Sequence, residues 1–553
     1  MLMPWCLVLV LRLTPKGLLL VSSWLSEDQN LRRRSPMPGY APACRDEVFA
    51  GAREQYGEVE EWLAGEAAGL QHADLEEQLE ARGRELLRRL LQGHLDLQAV
   101  REERRDGVTG ADGAARTRAE RGRTRPLVTV FGQVTVSRIA YRAPGLPNVH
   151  PLDAALNLPE EKHSHGLRKL AAVEAARGSM EAACAAVARV TGVQLGKRQL
   201  EALVLRAAAD AEAFYAWRLA GPAPQEEALV LTFDGKGIVM RPEALRPATA
   251  KAARSAENKL VTRLSAGEKH GRKRMAEVAG VYDARPVPRA PEDVVSTPAA
   301  KRREKKARAA AFASGKKGKR GPREPQARNK WLSASVTSDI PAVVASAFGE
   351  AERRDPGHLR EWVVLIDGNN AQLEAVAAEA AKRGVAVTVV IDFVHVTEYC
   401  WKAAWSFFEK GEPAAEEWVA RQLRKILGGK SSQVAAGIRR RATAYGYAGA
   451  ERAGADECAR YLDNKKEYLR YDAALAKGWP IATGIIEGAC RHLVKDRMDI
   501  TGARWGLEGA EAVLKLRAIT ANGDLDAYWR FHLRREHERI HHAKYQDSQV
   551  LAA

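Results

Sequence analysis

The sequence predicts an α/β protein with a mixed sheet flanked by helices, preceded by a mainly helical region that contains a β-hairpin. Two buried strand runs, 228–233 and 362–366, are each followed by Asp-Gly. The second run leads into a helix and a further strand, 385–391, a pattern that predicts parallel strands joined by a crossover helix. The stretch 395–472 has the composition and apolar spacing of helices throughout.

The chain has 553 residues, which at roughly 100–200 residues per domain predicts three or four folded units. Its first 43 residues fit no folded unit, and we expect either disorder or a start codon assigned upstream of Met37. The apolar stretch 7–25 is broken by Arg12 and Lys16, so its uninterrupted runs are too short to cross a bilayer. It also lacks the basic region that opens a signal peptide.

Apolar residues at helical spacing between 44 and 105 predict a long amphipathic helix or a helical hairpin, which is a candidate oligomerisation element. A Gly/Arg/Ala-rich linker, 106–123, follows. β-branched residues on both sides of the turn Phe131-Gly132-Gln133 then predict a β-hairpin that runs on to Tyr141.

Two short helices, 179–190 and 197–208, are predicted on either side of a glycine turn at Thr191-Gly192-Val193. Lys197 and Arg198 open the second helix. This arrangement is typical of a helix-turn-helix that reads a DNA major groove, and an ordinary helical hairpin is the alternative.

The segment 284–330 is the most polar part of the chain and is predicted to be a disordered basic loop. Between 301 and 330 it has thirteen basic residues and two acids, which favours contact with phosphates over a mere contribution to solubility. The predicted organisation is 1–43 disordered or mis-assigned start, 44–123 helical segment and linker, 124–220 hairpin and DNA-binding helices, 225–394 first part of the core, 395–478 helical insertion, 479–522 last part of the core, and 523–553 helical tail.

The formal net charge is +17. An excess of this size favours a polyanionic partner, either nucleic acid or an acidic membrane surface. The six cysteines include no C-x-x-C pair, which argues against a zinc ribbon and against a disulfide framework. Four histidines near the C-terminus are predicted to lie on a surface helix and not to bind zinc: His532, His537, His541 and His542.

Three carboxylates lie beside glycines at predicted element ends. Asp234 and Asp367 each end a strand run, and Glu487 lies in the first turn of a helix with Thr483 as its predicted N-cap. Functional side chains gather at the carboxyl ends of strands in α/β sheets, and Mg²⁺ takes carboxylate ligands. Each signal alone is weak, because a strand that ends in Asp-Gly is more often a turn.

Glu487, Arg491 and Lys495 recur every four residues and are predicted to share one helix face. A carboxylate and two cations on one ridge suit metal binding beside phosphate binding. The alternative is a salt-bridge ladder on a solvated helix.

These motifs resemble the DDE transposases of bacterial insertion sequences, in the Kra-type group related to Mutator-like elements. The resemblance covers most of the chain from about Val128 onward and includes every member of the acidic triad. It rests on the following segments: Phe131–Val136 with Arg138 and Tyr141, His150–Asp153, Leu156–Pro159, Asp234-Gly235, Ile366–Gly368, Asp392–His395, Gly484–Glu487, Lys495–Met498, Thr501–Trp505 and Leu516-Arg517.

The resemblance implies an RNase H-like catalytic core with an all-helical insertion between the second and third acids. It implies that Asp234, Asp367 and Glu487 are catalytic and bind two Mg²⁺ ions, for which Mn²⁺ would substitute. Asp392 and His395 match a motif that follows the second acid in relatives, which implies a supporting role. The competing assignment makes Asp392 a metal ligand in place of Asp367.

The resemblance further implies cleavage of the element ends and joining of the freed 3′-hydroxyl to target DNA. The partners would be double-stranded DNA, namely terminal inverted repeats and target, and a second copy of the chain; we expect no membrane and a cytoplasmic, nucleoid-associated location. The N-terminal helices and the helix-turn-helix would recognise the repeats. Another RNase H-like nuclease and an inactive or domesticated DNA-binding protein are the alternatives. The residues expected to contact DNA are Lys197, Arg198, Lys236, Arg491, Lys495, Arg497, Arg504 and Trp505, the last by stacking on a base.

Overall fold

The computed structural model describes residues 46–219, 224–255, 273–297, 324–500 and 502–546, with a few isolated residues between these ranges. The expectations for residues 1–43 and for the middle of the basic loop lie outside the described residues. In the described part, no helix is both long enough and apolar enough to cross a membrane.

The N-terminal region is a helical hairpin that lies on a β-hairpin. Helices α1 (Ala50–Ala64) and α2 (His72–Arg101) precede the antiparallel strands β1 (Arg118–Thr129) and β2 (Gly132–Arg142). Gln92 of α2 hydrogen-bonds to both the N–H and the C=O of Thr135. Strand β1 begins inside the predicted linker, so the linker prediction was wrong there, because pairing with β2 outweighs the poor strand propensity of this Arg-rich stretch.

A group of short helices follows: α3 (Pro151–Ala155), α4 (His165–Arg177), α5 (Met180–Thr191), α6 (Lys197–Ala207) and α7 (Ala211–Trp217). Helix α5 ends at Gly192, whose φ of 71° is the left-handed conformation that glycine adopts without strain. The two helices predicted around this turn are therefore present. The apolar face of α6, which includes Leu200 and Val204, is buried in one large core.

The central sheet has five strands in the order β5-β4-β3-β6-β7. They are β3 (Ala228–Val239), β4 (Lys273–Ala284), β5 (Ala327–Ser335), β6 (Trp362–Ile366) and β7 (Val387–Ile391), and helix α8 (Pro247–Ser255) lies between β3 and β4. Strands β3, β4 and β5 pair antiparallel, whereas β3, β6 and β7 pair parallel. The predicted class, a mixed sheet flanked by helices, is confirmed.

Strand β3 does not end at Asp234. It continues to Val239 because β4 pairs with its whole length, with Asp234 opposite Val278 and Val239 opposite Lys273. The expectation that Asp234 ends a strand was wrong, since cross-strand pairing outweighs the turn preference of the following glycines.

Helices cover both faces of the sheet. Helices α10 (Ile340–Arg354) and α11 (Asn370–Arg383) pack on one face. Part of the other face is covered by helices from α12 (Phe393–Ala404) through α13 (Pro413–Leu427), α14 (Ser431–Ala444), α15 (Gly449–Asn464) and α16 (Tyr471–Lys477). The rest of that face packs against the helices after residue 483 and against α4 and α6.

Two predictions about solvent-exposed segments were wrong. Residues 285–297, predicted to belong to the disordered loop, include helix α9 (Pro291–Val294) and hydrogen-bond to the helical segment through Val287 N to Gly478 O at 2.9 Å. The C-terminal helix α20 (Leu525–Ile540), which follows α19 (Leu507–Ala521), buries His532 completely. Its histidines hydrogen-bond to the N-terminal region, so the helix is not a free surface helix.

Candidate active site

Three aspartates lie side by side across the parallel strands. Thr232 of β3 pairs with Leu365 of β6, so Asp234 and Asp367, two residues further along each strand, are at the same level. Ile366 pairs with Ile391, and the N–H of Asp392 donates to the carbonyl of Ile366 at 2.8 Å, so Asp392 shares that level on β7. The strand register is compatible with the convergence of Asp234 and Asp367, which stays a prediction.

The same three aspartates belong to one face of the sheet. Side chains alternate between faces along a strand, and Val230, Leu365 and Val390 all belong to the core under the helical segment. Asp234, Asp367 and Asp392 follow them by an even number of residues. Further along β3 on this face, Ile238 and Met240 enter a different core. The acids therefore lie at the boundary between two apolar cores.

The helix that carries Glu487 packs on this same face. Helix α17 (Gly484–Ala489) continues without interruption as a π-helix, Cys490–Lys495, and as the short helix α18 (Asp496–Met498). Ile486 is buried in one core with Val278, the cross-strand partner of Asp234. Cys490, one turn after Glu487, is beside Asp234: burial raises the pKa of its thiol, and the charge of Asp234 and a hydrogen bond to it raise it further.

The acids share an electrostatic environment. Burial raises the pKa of Glu487, and the negative charges of Asp392 and Asp234 raise it further. Glu277, opposite Gly235 on β4, has its pKa raised by burial and by Asp234. Such mutual repulsion is what a bound cation would relieve.

The carboxylates are not arranged as a complete metal-binding site. Within the described residues, no group of three or more His, Cys, Asp or Glu side chains is arranged to hold a metal ion. The donor chemistry, carboxylate oxygens on neighbouring elements, nevertheless fits Mg²⁺. Side-chain rotation or a shift of the Glu487 helix is needed before these oxygens share an ion, so metal binding stays a prediction.

The carboxylate of Asp392 is buried and held by hydrogen bonds from the protein. It is fully buried, and its carboxylate accepts hydrogen bonds from Val394 N at 2.9 Å and Thr483 Oγ1 at 2.5 Å. Thr483 N and His395 Nδ1 are both 3.3 Å away. Burial raises the pKa of Asp392, but the hydrogen bonds from His395, Thr483 and Val394 outweigh it and lower that pKa. With both oxygens occupied, Asp392 is a poor candidate metal ligand, which disfavours the competing assignment.

Thr483 connects this buried carboxylate to the helix of Glu487. It was predicted to cap the helix with its hydroxyl, but it makes no capping hydrogen bond. The prediction was wrong because the hydroxyl donates to Asp392 instead. Since Thr483 directly precedes α17, the bond ties the start of that helix to the end of β7.

We expect Thr483→Val to lower any strand-cleavage activity by about 10–100-fold, the usual effect of removing a group that orients a ligand residue. The substitution keeps the shape of the side chain but leaves a buried oxygen of Asp392 without its donor. Thr483→Ser retains the hydroxyl and should behave like the wild type. Equal losses in both variants would show that packing of the methyl group, and not the hydrogen bond, is what matters.

His395 adds a positive charge beside the acids. The hydrogen bond to Asp392 raises its pKa to about 8 against the opposing effect of burial, and the charges of Asp392 and Asp367 add to the increase. His395 is therefore mostly protonated at neutral pH. The predicted supporting role of Asp392 and His395 is compatible with this geometry, as they order the backbone around the acids.

The helix face predicted for Glu487, Arg491 and Lys495 runs from an α-helix into a π-helix. The π-helix from Cys490 to Lys495 has i→i+5 hydrogen bonds, so residues four apart still lie close to one face. Arg491 and Lys495 are both exposed, and Arg491 lies 3.8 Å from Asp496. Glu487 is exposed as well, so all three side chains are accessible, and their common face stays a prediction.

Two residues predicted to contact DNA are interior. Arg497 is 2% exposed, donates from Nε to the Ala175 carbonyl and stacks on the Trp505 ring at 4.6 Å. Burial lowers its pKa to about 10. Trp505 is 8% exposed, and its indole donates to the Met498 carbonyl. These two predictions were wrong, because both side chains pack in the core.

The other predicted cations are accessible to solvent. Arg198 and Arg504 are exposed, and Lys236 is partly exposed on the strand of Asp234. Lys197 pairs with Glu181 on the preceding helix, and both side chains are largely exposed, so the pair is weak. Contact of these residues with DNA remains a prediction.

Sequence reasoning missed three residues around the acids. Tyr461 donates its hydroxyl to the Asp367 carbonyl at 3.2 Å, from a helix 94 residues away in the chain. Glu277 and Cys490 were also missed. Glu277 could have been found from the sequence, because an acid inside the apolar run 275–281 is unusual, but Tyr461 gives no local signal.

No protein-family model and no curated protein matches the chain.

Proposed function

We propose that the protein is a DNA transposase of the DDE type, which cleaves the ends of an insertion sequence and joins the freed 3′-hydroxyl to target DNA. The observation that carries the proposal is the common level and face of Asp234 and Asp367, with the Glu487 helix packed on that face. The resemblance of the sequence motifs and the net charge of +17 support it independently.

The fold is compatible with an RNase H-like core. Three antiparallel strands followed by two parallel ones, with the first strand central, is the strand order expected of that core. The helices between 393 and 477 fall between the second and third acids, where the proposal requires a helical insertion.

The proposed mechanism gives each accessible residue one task. Asp234, Asp367 and Glu487 would hold two Mg²⁺ ions, and bound Mg²⁺ would supply activation of the attacking oxygen and charge neutralisation of the leaving oxygen of a phosphodiester. Lys236, Arg491, Lys495 and Arg504 would bind the phosphates of the DNA. Asp392 and Thr483 fix the helix that carries Glu487, and protonated His395 offsets the charge of the neighbouring acids.

The test is a strand-cleavage and joining assay on the element's own terminal repeats. With Mg²⁺ or Mn²⁺, we expect cleavage at the repeat end and a product in which that end is joined to a second labelled DNA. EDTA should abolish both steps while DNA binding persists. Cleavage without any joined product would favour another RNase H-like nuclease.

A second candidate, a DNA-binding protein that no longer cleaves, is favoured by one observation. The carboxylates do not form a metal-binding group in the described residues. This candidate predicts specific binding to the repeats with no cleavage under any divalent cation. Calorimetric titration of Mg²⁺ or Mn²⁺ into the DNA complex separates the two, because only the transposase should bind the ions through its acids.

A further inference from the structure

The helix that carries Glu487 contains a carbonyl without a backbone donor of its own. In its π-helical part, hydrogen bonds join residues five apart, and Asp496 N donates in this way to Arg491 O. After this bond the spacing returns to four, since Asp499 N donates to Lys495 O at 3.1 Å. The five carbonyls from Arg491 to Lys495 therefore face only the four amides from Asp496 to Asp499. One carbonyl in this interval needs a donor from elsewhere, because main-chain polar groups in a packed protein are normally hydrogen-bonded.

Arg517 of α19 supplies that donor. Its Nε donates to the Leu493 carbonyl at 2.8 Å, and a second guanidinium nitrogen donates to the His492 carbonyl. A third nitrogen donates to the Ala176 carbonyl in the last turn of α4. The planar guanidinium holds its donors in a fixed fork, so one side chain serves three carbonyls on two helices. Arg517 thereby joins the π-helix to both α4 and α19.

The helix of Glu487 is fixed on both sides of this residue. Four residues before Glu487, the Thr483 hydroxyl donates to Asp392. Five and six residues after it, two carbonyls of the π-helix accept from Arg517. Without these donors, the unpaired carbonyl favours a return to the regular i→i+4 ladder. Such a return rotates Glu487 about the helix axis relative to the residues after the π-helix, because π and α turns differ in residues per turn.

We infer that Arg517 is a positioning residue: by pairing the carbonyl that the π-helix leaves free, it holds the helix of Glu487 against the sheet face that carries Asp234. Ile486 packs in one core with Val278, the cross-strand partner of Asp234, so packing places this helix and Arg517 sets its rotation. The inference deepens the proposed function and rests on it, because the orientation of Glu487 matters for cleavage only where the three acids bind metal ions.

Arg517→Lys tests this role without changing the charge. A lysine ammonium is a point charge on a flexible stem and cannot serve three carbonyls on two helices as the fork does. In single-turnover cleavage of a labelled repeat end, we expect the rate to fall by about 10–100-fold at a fixed Mg²⁺ concentration, the usual effect of removing a group that orients a ligand residue. The Mg²⁺ concentration at half-maximal rate should rise, while the affinity for the repeat stays as in the wild type. A merely structural role would lower the amount of folded protein without moving this Mg²⁺ dependence.

Arg424→Lys is the matched control. Arg424 of α13 is half-buried and donates from Nε to the Val295 carbonyl at 2.8 Å, the same kind of bond within the helical segment. This variant should cleave with the rate and the Mg²⁺ dependence of the wild type. Equal effects of the two substitutions would overturn the inference, because the loss would then follow from removing any arginine of this kind.

Hydrogen exchange gives a readout that needs neither DNA nor metal. In Arg517→Lys, the amides of residues 491–499 should exchange roughly tenfold faster or more, because hydrogen bonds to the π-helix are lost. Exchange in α10 should stay unchanged and show that the fold is intact. Unchanged exchange at 491–499, or an unchanged Mg²⁺ dependence of cleavage, would overturn the inference. A wild type that cleaves with no divalent cation would instead contradict the proposed function, and faster exchange at 491–499 would then still support Arg517 as the residue that holds this helix.

Discussion

Changing any one of Asp234→Asn, Asp367→Asn and Glu487→Gln is expected to reduce strand cleavage by at least about 1000-fold. A carboxamide keeps the size of the side chain but removes the charge that holds a hard cation. Such a loss corresponds to roughly 4 kcal/mol of transition-state stabilisation, within the several kcal/mol that bound metal ions provide. The measurement is single-turnover cleavage of a labelled repeat end with saturating Mg²⁺.

DNA binding separates loss of chemistry from loss of fold. Each carboxamide removes a negative charge near the predicted phosphate path, so the variants should bind the repeat at least as tightly as the wild type. Glu417→Gln, an exposed acid on α13, is the matched control and should retain full cleavage. Cleavage that survives in one of the three variants would remove that residue from the set of ligands.

A cysteine substitution tests direct ligation more sharply. Asp367→Cys presents a softer sulfur ligand, which Mn²⁺ tolerates better than Mg²⁺. We therefore expect cleavage by this variant to be restored in part by Mn²⁺ but not by Mg²⁺. Asp367 is preferred to Asp234 for this test because Cys490 lies beside Asp234. Asp392→Cys should show no such metal dependence, since its oxygens are occupied by protein donors.

Helices and strands whose ends are set by nearby residues can be predicted from local sequence signals. The helix Ile340–Arg354 has such local signals, because Asp339 caps it and Pro341 lies in its first turn. The strand Trp362–Ile366 was predicted to the residue, since its five consecutive apolar side chains are buried on both sides of the sheet. The parallel pairing of β3 with β6, which puts Asp234 and Asp367 at the same level, is known from the structure and was not predicted from the sequence.

Features that depend on distant residues were not predictable in this way. From the sequence, Arg497 was expected to be a surface cation and Trp505 a ring that stacks on a base. In the structure the two side chains pack on each other, and they donate hydrogen bonds to the carbonyls of Ala175 and Met498. The π-helix after Ala489 has no sequence signal, because its extra residue per turn is selected by packing. The hydroxyl of Thr483 donates its hydrogen bond to Asp392, 91 residues away, and not to the backbone of the adjacent helix.

Arg168→Met is expected to destabilise the junction between the N-terminal and C-terminal regions by about 3–5 kcal/mol, the usual cost of removing one partner from a buried ion pair. The Arg168 guanidinium is fully buried and donates to Glu161 and, at 2.7 Å, to Glu536 of α20. It also lies 3.1 Å from His532 Nε2, while His532 Nδ1 is 2.7 Å from Asp210. These partners assign the Nδ1–H tautomer to His532.

Hydrogen exchange is the appropriate measurement, because a chain of this size does not unfold in a single two-state step. A loss of 3–5 kcal/mol should accelerate exchange in α4 and α20 by roughly a hundred- to several thousand-fold, at tenfold per 1.4 kcal/mol. Arg177→Met on the same helix is the control: its pair with Glu174 is exposed, so exchange should change little. Similar exchange rates in both variants would contradict a stabilising role for the buried ion pairs of Arg168.

The same network predicts a loss of stability in acid. Burial raises the pKa of Asp210, but the hydrogen bonds from His532 and Arg539 outweigh it and lower that pKa to about 2. A carboxyl with a depressed pKa stabilises the fold above its unfolded value near 3.9, and the contribution is lost as the pH falls from there toward 2. Exchange in α20 should therefore accelerate over this interval in the wild type. In Asp210→Asn, which has no carboxyl to titrate at this position, that part of the acceleration should disappear, because α20 is already destabilised at neutral pH.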